Sequence, residues 1–206
     1  INDYKEANSL IQAKNQFFKL QKEEYELSIP FYIESYNYFK NIDKDFAVLI
    51  LKMISQKAKD NPKALKTIAY KLEESGDYDQ AKILYKRLLT IRPSDEQTYR
   101  DLALIYKETK EYELAASLYN KILKNKLSKA NILGLQETVV NEASHLYWTE
   151  IDKLVLTDFP LKTLKTFVPK NDWNNFGYDY IIVFDWNDPA VEFNIQFVDP
   201  KKKYFN

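Results

Sequence analysis

Residues 62–122 decide the fold, and they read PKALKTIAYKLEESGDYDQAKILYKRLLTIRPSDEQTYRDLALIYKETKEYELAASLYNKI. The stretch repeats itself every 34 residues, as Ala69 and Ala103 illustrate (103 − 69 = 34). Four further pairs keep this interval: Ala81 and Ala115, Tyr85 and Tyr119, Tyr78 and Tyr112, Leu89 and Leu123. A fixed period with small residues at fixed positions indicates stacked helical hairpins, because a single hairpin cannot bury its apolar face alone.

The first hairpin carries start and stop signals for both of its helices. Asn61 is suited to cap the N-terminus of the first helix, and Gly76 supplies a left-handed residue at its end. Asp77 begins the second helix, where a negative charge meets the positive end of the helix dipole. Ser94 and Gln97 predict a capping box at the start of the next helix.

A third, degenerate repeat is predicted over residues 30–57. One period before Ala81 stands Ala47, and one period before Ala69 stands Ser35, so small residues recur at both positions. We expect Ala69 and Ala81 to lie where the two helices of one hairpin come closest, since a larger side chain there would force the helices apart.

The repeat resembles the tetratricopeptide repeat (TPR). The residues that carry the resemblance in the first unit are Leu65, Ile68, Ala69, Leu72, Gly76, Asp77, Tyr78, Ala81, Tyr85 and Pro93. Those in the second unit are Tyr99, Leu102, Ala103, Tyr106, Tyr112, Ala115 and Tyr119. The second unit departs from the pattern at Lys110, which replaces a glycine, and at Leu127, which replaces a proline. The resemblance implies a mainly α fold, a TPR-like α-solenoid of about three helical hairpins with capping helices.

The chain divides into four predicted parts. They are an N-terminal capping helix within residues 1–29, TPR-like repeats with a C-terminal capping helix over 30–156, a linker over 157–176, and a β-hairpin or the start of a β-domain over 177–206. The N-terminal helix is predicted from Asp3 to Leu27, and binding of a partner helix is the alternative to capping. The C-terminal capping helix is predicted from Lys129 to about Leu154.

The last part changes to the alternation of a β-strand. Tyr178–Phe184 and Val191–Phe197 are strand candidates, and Tyr204 with Phe205 could open a third strand. This part resembles the small β-sandwich domain of a group of bacterial multidomain proteins of unknown function, in which TPR-like repeats precede it. The matching residues are Trp186, Asn187, Asp188, Glu192, Phe193, Asn194, Ile195, Asp199 and Pro200. The resemblance implies a location in the bacterial envelope or periplasm rather than the cytoplasm, and the chain's start at Ile1 suggests a mature piece or an excised fragment.

Composition argues against several classes of function. Thirty basic and 30 acidic residues leave no net charge that would favour nucleic acid or an anionic membrane. The absence of cysteine excludes thiol catalysis and thiolate metal sites. No apolar run approaches the ~18 residues of a membrane span. His145, the single histidine, lacks a partner at metal-ligand spacing, and the three glycines form no phosphate-binding loop motif. We therefore expect no enzyme, no cofactor and no metal.

A calcium-binding site in the C-terminal part is the alternative to a protein that binds no metal. Its candidate ligands are Asp185, Asp188, Glu192 and Asp199. Turn formation explains the same residues more simply, because Asp and Asn are common turn formers.

The TPR resemblance places the functional surface on the first helix of each unit. The residues implied to line this partner-binding groove are Tyr32, Tyr36, Phe39, Lys63, Lys66, Tyr70, Glu73, Arg100, Leu104 and Lys107. Aromatic rings with interleaved cations suit an extended protein or peptide segment that carries carboxylates. The alternative is a spacer whose groove is filled by the chain's own helix or linker. The carboxylate-clamp subclass has Asn where Tyr36 and Tyr70 stand, so a receptor for chaperone tails is disfavoured.

Overall fold

Helices make up most of the part of the chain that the computed structural model describes, which is residues 7–23, 28–124, 133–150, 197–198 and 204–205. They are α1 (Leu10–Glu23), α2 (Ile29–Phe39), α3 (Lys44–Lys57), α4 (Pro62–Ser75), α5 (Tyr78–Ile91), α6 (Glu96–Glu108), α7 (Tyr112–Leu123) and α8 (Leu133–Glu150). Two short strands, β1 (Phe197–Val198) and β2 (Tyr204–Phe205), pair antiparallel, with Phe197 opposite Phe205. The prediction of a mainly helical protein is confirmed for these residues.

Helices α2 to α7 form three consecutive pairs, and each pair packs on the next. The second helices of the pairs begin at Lys44, Tyr78 and Tyr112, so consecutive starts are 34 residues apart (78 − 44 = 34; 112 − 78 = 34). The helices predicted within residues 30–57 are therefore present as α2 and α3. The period read from the side chains is also the period of the backbone.

The small residues of the repeat lie in the core. Ala69, Ala81, Ala103 and Ala115 have no exposed surface, and neither do Ser35 and Ala47 in the degenerate unit. The hydroxyl of Ser35 donates a hydrogen bond of 2.7 Å to the carbonyl of Phe31, so its burial leaves no polar group unsatisfied. The small side chains are thus buried in all three pairs, as the packing argument requires.

Two matching turns join the helices of the second and third pairs. Gly76 has φ +80°, and Lys110, one period later, has φ +61°. At each turn the residue that follows donates its N–H to a carbonyl in the last turn of the preceding helix, Asp77 to Leu72 and Glu111 to Tyr106. Lys110 therefore adopts the left-handed conformation of the glycine that it replaces, and it does so against the preference of an L-residue.

The predicted starts at Asn61 and Asp77 are confirmed, and the predicted cap at Ser94 is wrong. The side chains of Asn61 and Asp77 each accept a hydrogen bond from the third residue of the helix that follows. Helix α6, however, is capped by Asp95 and not by Ser94. The Asp95 carboxylate accepts both the N–H and the hydroxyl of Thr98, at 3.3 and 2.9 Å, which a serine one residue earlier could not do.

Helix α1 begins later than predicted, at Leu10 instead of Asp3. The Ser9 hydroxyl accepts the N–H of Gln12 at 3.2 Å, and the Gln12 side chain accepts the N–H of Asn8 at 2.8 Å. These reciprocal bonds satisfy N–H groups at the helix start and stop it from extending backwards.

Helix α1 packs on the first pair through aromatic residues. Phe17 is fully buried and its ring lies 5.4 Å from Phe31 and 5.5 Å from Phe46. This position fits the predicted role of an N-terminal cap, because an end pair without a neighbour would expose its apolar face.

Ion pairs link each pair of helices to the element before it. An acidic residue directly precedes each of the three second helices, at intervals of 34 residues: Asp43, Asp77 and Glu111. Each of them forms an ion pair with a lysine of an earlier helix. Lys52 lies 3.0 Å from Asp77 and Lys82 lies 2.6 Å from Glu111. The carboxylates of Asp43 and Asp77 also cap their own helices.

Several predictions concern residues outside those that the structure describes. These are the linker over 157–176, most of the strand candidates, and the acidic residues considered for calcium. Among the helices that are described, none combines the length and the apolar character needed to cross a membrane.

Candidate functional site

A cavity of about 600 Å³ opens between α4, the start of α5, and α6. We name it the α4–α6 groove, and its lining residues are Tyr70, Glu73, Glu74, Tyr78, Asp101, Leu104 and Glu108. The α4 residues are spaced by three and four positions, as are the α6 residues, so one face of each helix borders the groove. The lining contains Tyr70, Glu73 and Leu104 of the surface that the TPR resemblance implies.

Tyr70 is held in place at the mouth of the groove. Its hydroxyl donates a hydrogen bond of 3.0 Å to Asp101, whose other oxygen accepts the Gln97 amide at 2.7 Å. The Tyr70 side chain is 43% exposed, whereas Asp101 is 5% exposed. A buried carboxylate therefore fixes an accessible aromatic ring.

The Glu73 carboxylate is likewise fixed by a hydrogen bond. The hydroxyl of Tyr85, a fully buried residue of α5, donates to Glu73 at 3.0 Å. The rings of Tyr70 and Tyr85 meet edge to face, with centroids 6.1 Å apart. The two tyrosines and the two carboxylates form one connected network, which is pre-organised because each polar group has a partner.

The carboxylates of the groove differ in how they are neutralised. Glu74 lies 2.7 Å from Lys40 and 2.6 Å from Lys71. Asp101 lies 3.6 Å from Lys66. Within the described residues, no Lys or Arg makes an ion pair with Glu73 or Glu108, and the lining itself contains no Lys or Arg. The charged side chains of the groove lining are therefore all acidic.

Burial raises the pKa values of three side chains that line the groove. The pKa of Glu73 is raised, foremost by its partial burial and then by the negative charges of Asp101 and Glu108, against the hydrogen bond from Tyr85. Burial also raises the pKa of Asp101, although Gln97 and Lys66 favour its ionised form. The pKa of Tyr70 is raised by burial and by the charge of Asp101, so its hydroxyl remains a donor.

The aromatic residues of the first unit do not reach an open surface. Tyr32 and Phe39 are fully buried, and Tyr36 is 2% exposed. The hydroxyl of Tyr36 donates to the carbonyl of Lys71 at 3.3 Å, and Lys40 and Lys71 lie over its ring. These three side chains pack the core, so the expectation that they line an accessible groove is corrected.

Arg100 forms an ion pair with another residue of the same chain. It lies 6% exposed on α6 and binds Glu142 of α8, with N–O distances of 2.6, 3.0 and 3.1 Å. Helix α8 packs on α6 and α7. The side chain that the resemblance assigned to a partner therefore meets a carboxylate of its own chain.

The three lysines of the predicted groove differ in exposure and in their contacts. Lys63 is exposed and Lys107 is half-buried. Lys66 lies 3.7 Å from Asp95 and 3.4 Å from the hydroxyl of Thr98, in addition to Asp101. The lining of the α4–α6 groove contains none of the expected cations, and Lys66 and Arg100 are engaged by carboxylates of the chain.

Four lining residues were not predicted from the sequence: Glu74, Tyr78, Asp101 and Glu108. One signal could have revealed two of them. Glu74 and Glu108 are one period apart (108 − 74 = 34), directly after the positions of Glu73 and Lys107. Asp101 has no such signal, since its equivalent one period earlier is Thr67.

The described residues include no group of three or more His, Asp or Glu side chains arranged to hold a metal ion. His145 lies half-buried on α8. The groove presents hydrogen-bonding groups, the exposed part of the Tyr70 ring and carboxylates.

No protein-family model and no curated protein matches this sequence. Interpretation of the groove accordingly depends on its own geometry and charge.

Proposed function

We propose that this protein is a non-enzymatic interaction scaffold, a TPR-like α-solenoid that holds an extended peptide segment of another protein in the α4–α6 groove. In this proposal the three helix pairs form the repeats, and α1 and α8 cap the two ends. The 34-residue period and the order in which the pairs pack support the architecture.

The observation that carries the proposal is the accessible Tyr70 ring, fixed by Asp101 beside Leu104 in a cavity of about 600 Å³. That volume lies within the ~300–1,000 Å³ of typical ligand sites. A ring that is already oriented loses little conformational freedom on binding, so its contact area is available for affinity. Peptide side chains could enter while the peptide backbone runs across the opening.

Selection of random displayed peptides on the full chain tests this function. We expect peptides to be enriched that lose binding to Leu104→Arg, which fills the groove. Leu114→Arg is the matched control, because Leu114 is a 47% exposed leucine on α7, outside the groove. Circular dichroism establishes that both variants are folded. If no peptide is enriched, or if both variants bind equally, the proposal is wrong.

The second candidate is a spacer whose groove is filled by the chain itself, within a larger bacterial envelope protein. The burial of Arg100 against Glu142 favours it, because one predicted partner contact is already made in cis. A photo-crosslinking amino acid at position 104 distinguishes the candidates. Crosslinks from this position to another part of the same chain support the spacer, and crosslinks to an added peptide support the scaffold. The envelope location stays a prediction from the resemblance.

A further inference from the structure

We infer that the α4–α6 groove selects a cationic segment, with a Lys or Arg side chain of the partner seated between the Tyr70 ring and the carboxylates of Glu73 and Glu108. The inference rests on the proposed peptide-binding function and names the chemistry of the partner. It reverses the expectation from the TPR resemblance, which pointed to a partner rich in carboxylates.

The carboxylates of the groove lining are only partly paired with cations of the described residues. Four carboxylates line the groove, and the ion pairs of the described residues account for Glu74 and Asp101 only. Glu73 and Glu108 have no cation of their own in this part of the chain. An incoming carboxylate would be repelled, whereas an incoming cation would meet two acceptors that no lysine or arginine of the described residues occupies.

The Glu73 carboxylate is partly desolvated. Its half-buried carboxylate accepts one hydrogen bond, from Tyr85, and faces the negative charges of Asp101 and Glu108. A partly buried negative charge without a cation is unfavourable, and a charge-assisted hydrogen bond from an ammonium or guanidinium group would offset that cost.

The exposed part of the Tyr70 ring offers an aromatic surface to a cation. Because the Tyr70 hydroxyl donates to a carboxylate, the electron density of its ring is increased, which strengthens attraction of a cation to the ring face. Lys66 already lies 6.0 Å from the ring centroid. The exposed part of the ring can contact a second cation from the solvent side.

The size and lining of the groove favour a side chain over a free ion. A volume of about 600 Å³ far exceeds that of one cation, and the described acidic residues do not form a metal-binding group. Leu104 supplies apolar surface for the methylene stem of a Lys or Arg side chain, whose charged end then reaches the carboxylates. A peptide segment satisfies all of these features together.

The test compares two double variants of the full chain in the peptide selection. Glu73→Gln with Glu108→Gln removes two charges inside the groove, and the amide oxygen introduced by Glu73→Gln can still accept from Tyr85. Asp79→Asn with Glu113→Gln removes two exposed charges on α5 and α7, outside the groove lining. Both variants have the same net charge, so a general electrostatic attraction would change equally in the two.

We expect the enriched peptides to share a Lys or Arg and to bind the groove variant about tenfold or more weakly, with the control variant close to the parent chain. A synthetic probe peptide in which that Arg is replaced by citrulline should lose a similar factor. Enriched peptides that lack a cation, or that bind both variants equally, would overturn the inference and leave peptide binding intact. Enrichment of no peptide at all would overturn both.

One further outcome concerns the chain's own basic run, Lys201 to Lys203. If replacing these three lysines with Ala strengthens binding of the cationic probe peptide, the groove is occupied in cis, and the assignment to a separate partner is wrong. If the affinity is unchanged, the assignment to a separate partner stands.

Discussion

Replacement of Arg100 by Ala should destabilise the protein strongly, because it breaks a buried ion pair. The side chains of Arg100 and Glu142 are 8% and 7% exposed, and three N–O contacts join them. The pKa of the neighbouring Tyr119 is raised well above its ordinary value, by burial first and then by the charge of Glu142. The Glu142 carboxylate thus lies in a region that is poorly solvated.

The magnitude follows from the group left behind. Removing one partner of a buried pair costs about 3–5 kcal/mol, since the other charge stays buried without compensation. In a chain of this size, each kcal/mol lowers the melting temperature by about 2–4 °C, which gives a total fall of about 6–20 °C. Differential scanning calorimetry of the full chain measures this fall.

Arg87→Ala is the matched control. Arg87 makes an ion pair of 3.0 Å with Asp60, and the two side chains are 36% and 75% exposed. An exposed pair contributes at most about 1 kcal/mol, so the melting temperature should change little. Arg100→Met combined with Glu142→Leu should recover most of the loss, because neither charge then remains. Equal melting temperatures for Arg100→Ala and Arg87→Ala would refute this account of the buried pair.

Three further perturbations test the fold and the groove. Lys110→Gly should raise the free energy of unfolding by about 1 kcal/mol, and Gly76→Ala should lower it by a similar amount, because both positions have positive φ. Chemical denaturation measures both changes. Changes of the same sign would contradict this explanation. Ala81→Leu should lower it by about 1–3 kcal/mol through overpacking of a fully buried position, whereas Ser117→Leu at an exposed position of α7 should not. The raised pKa of Glu73 means that the folded state holds this proton more tightly, so its contribution to stability falls as the pH rises through that pKa. Glu73→Gln should therefore lose less thermal stability than the parent chain as the pH rises above the ordinary pKa of glutamate, and an unchanged pH profile would count against this effect.

The sequence predicted the helix ends well where the residues at those ends themselves form the capping interactions. Asn61, Gly76 and Asp77 occupy the predicted ends and starts, because capping depends on a few neighbouring backbone groups. Ser94 failed because an aspartate follows it directly, and the Asp95 carboxylate accepts two hydrogen bonds from one residue. Such competition between adjacent caps is decided by geometry that the sequence pattern does not contain.

The groove was predicted less well, since its character depends on contacts between distant residues. A position in the repeat gives the direction of a side chain within its own unit, and Tyr70 and Leu104 do border the groove. It does not give what covers that side chain. The partner of Arg100 lies 42 positions away on α8, and Tyr32 is buried among residues of α1 and α2. The charge of the groove lining depends on the same kind of long-range contact.

The carboxylates of Asp43 and Asp77 have a consequence for how the protein comes apart. One oxygen of Asp77 caps α5 while the other binds Lys52 of the preceding pair, and Asp43 divides its oxygens between α3 and Lys14 in the same way. Loss of one pair therefore removes a counter-charge from the helix start of the next, so melting should spread along the row instead of stopping at a boundary. Salt, which screens these half-exposed links, should weaken the coupling between neighbours before it weakens either neighbour itself.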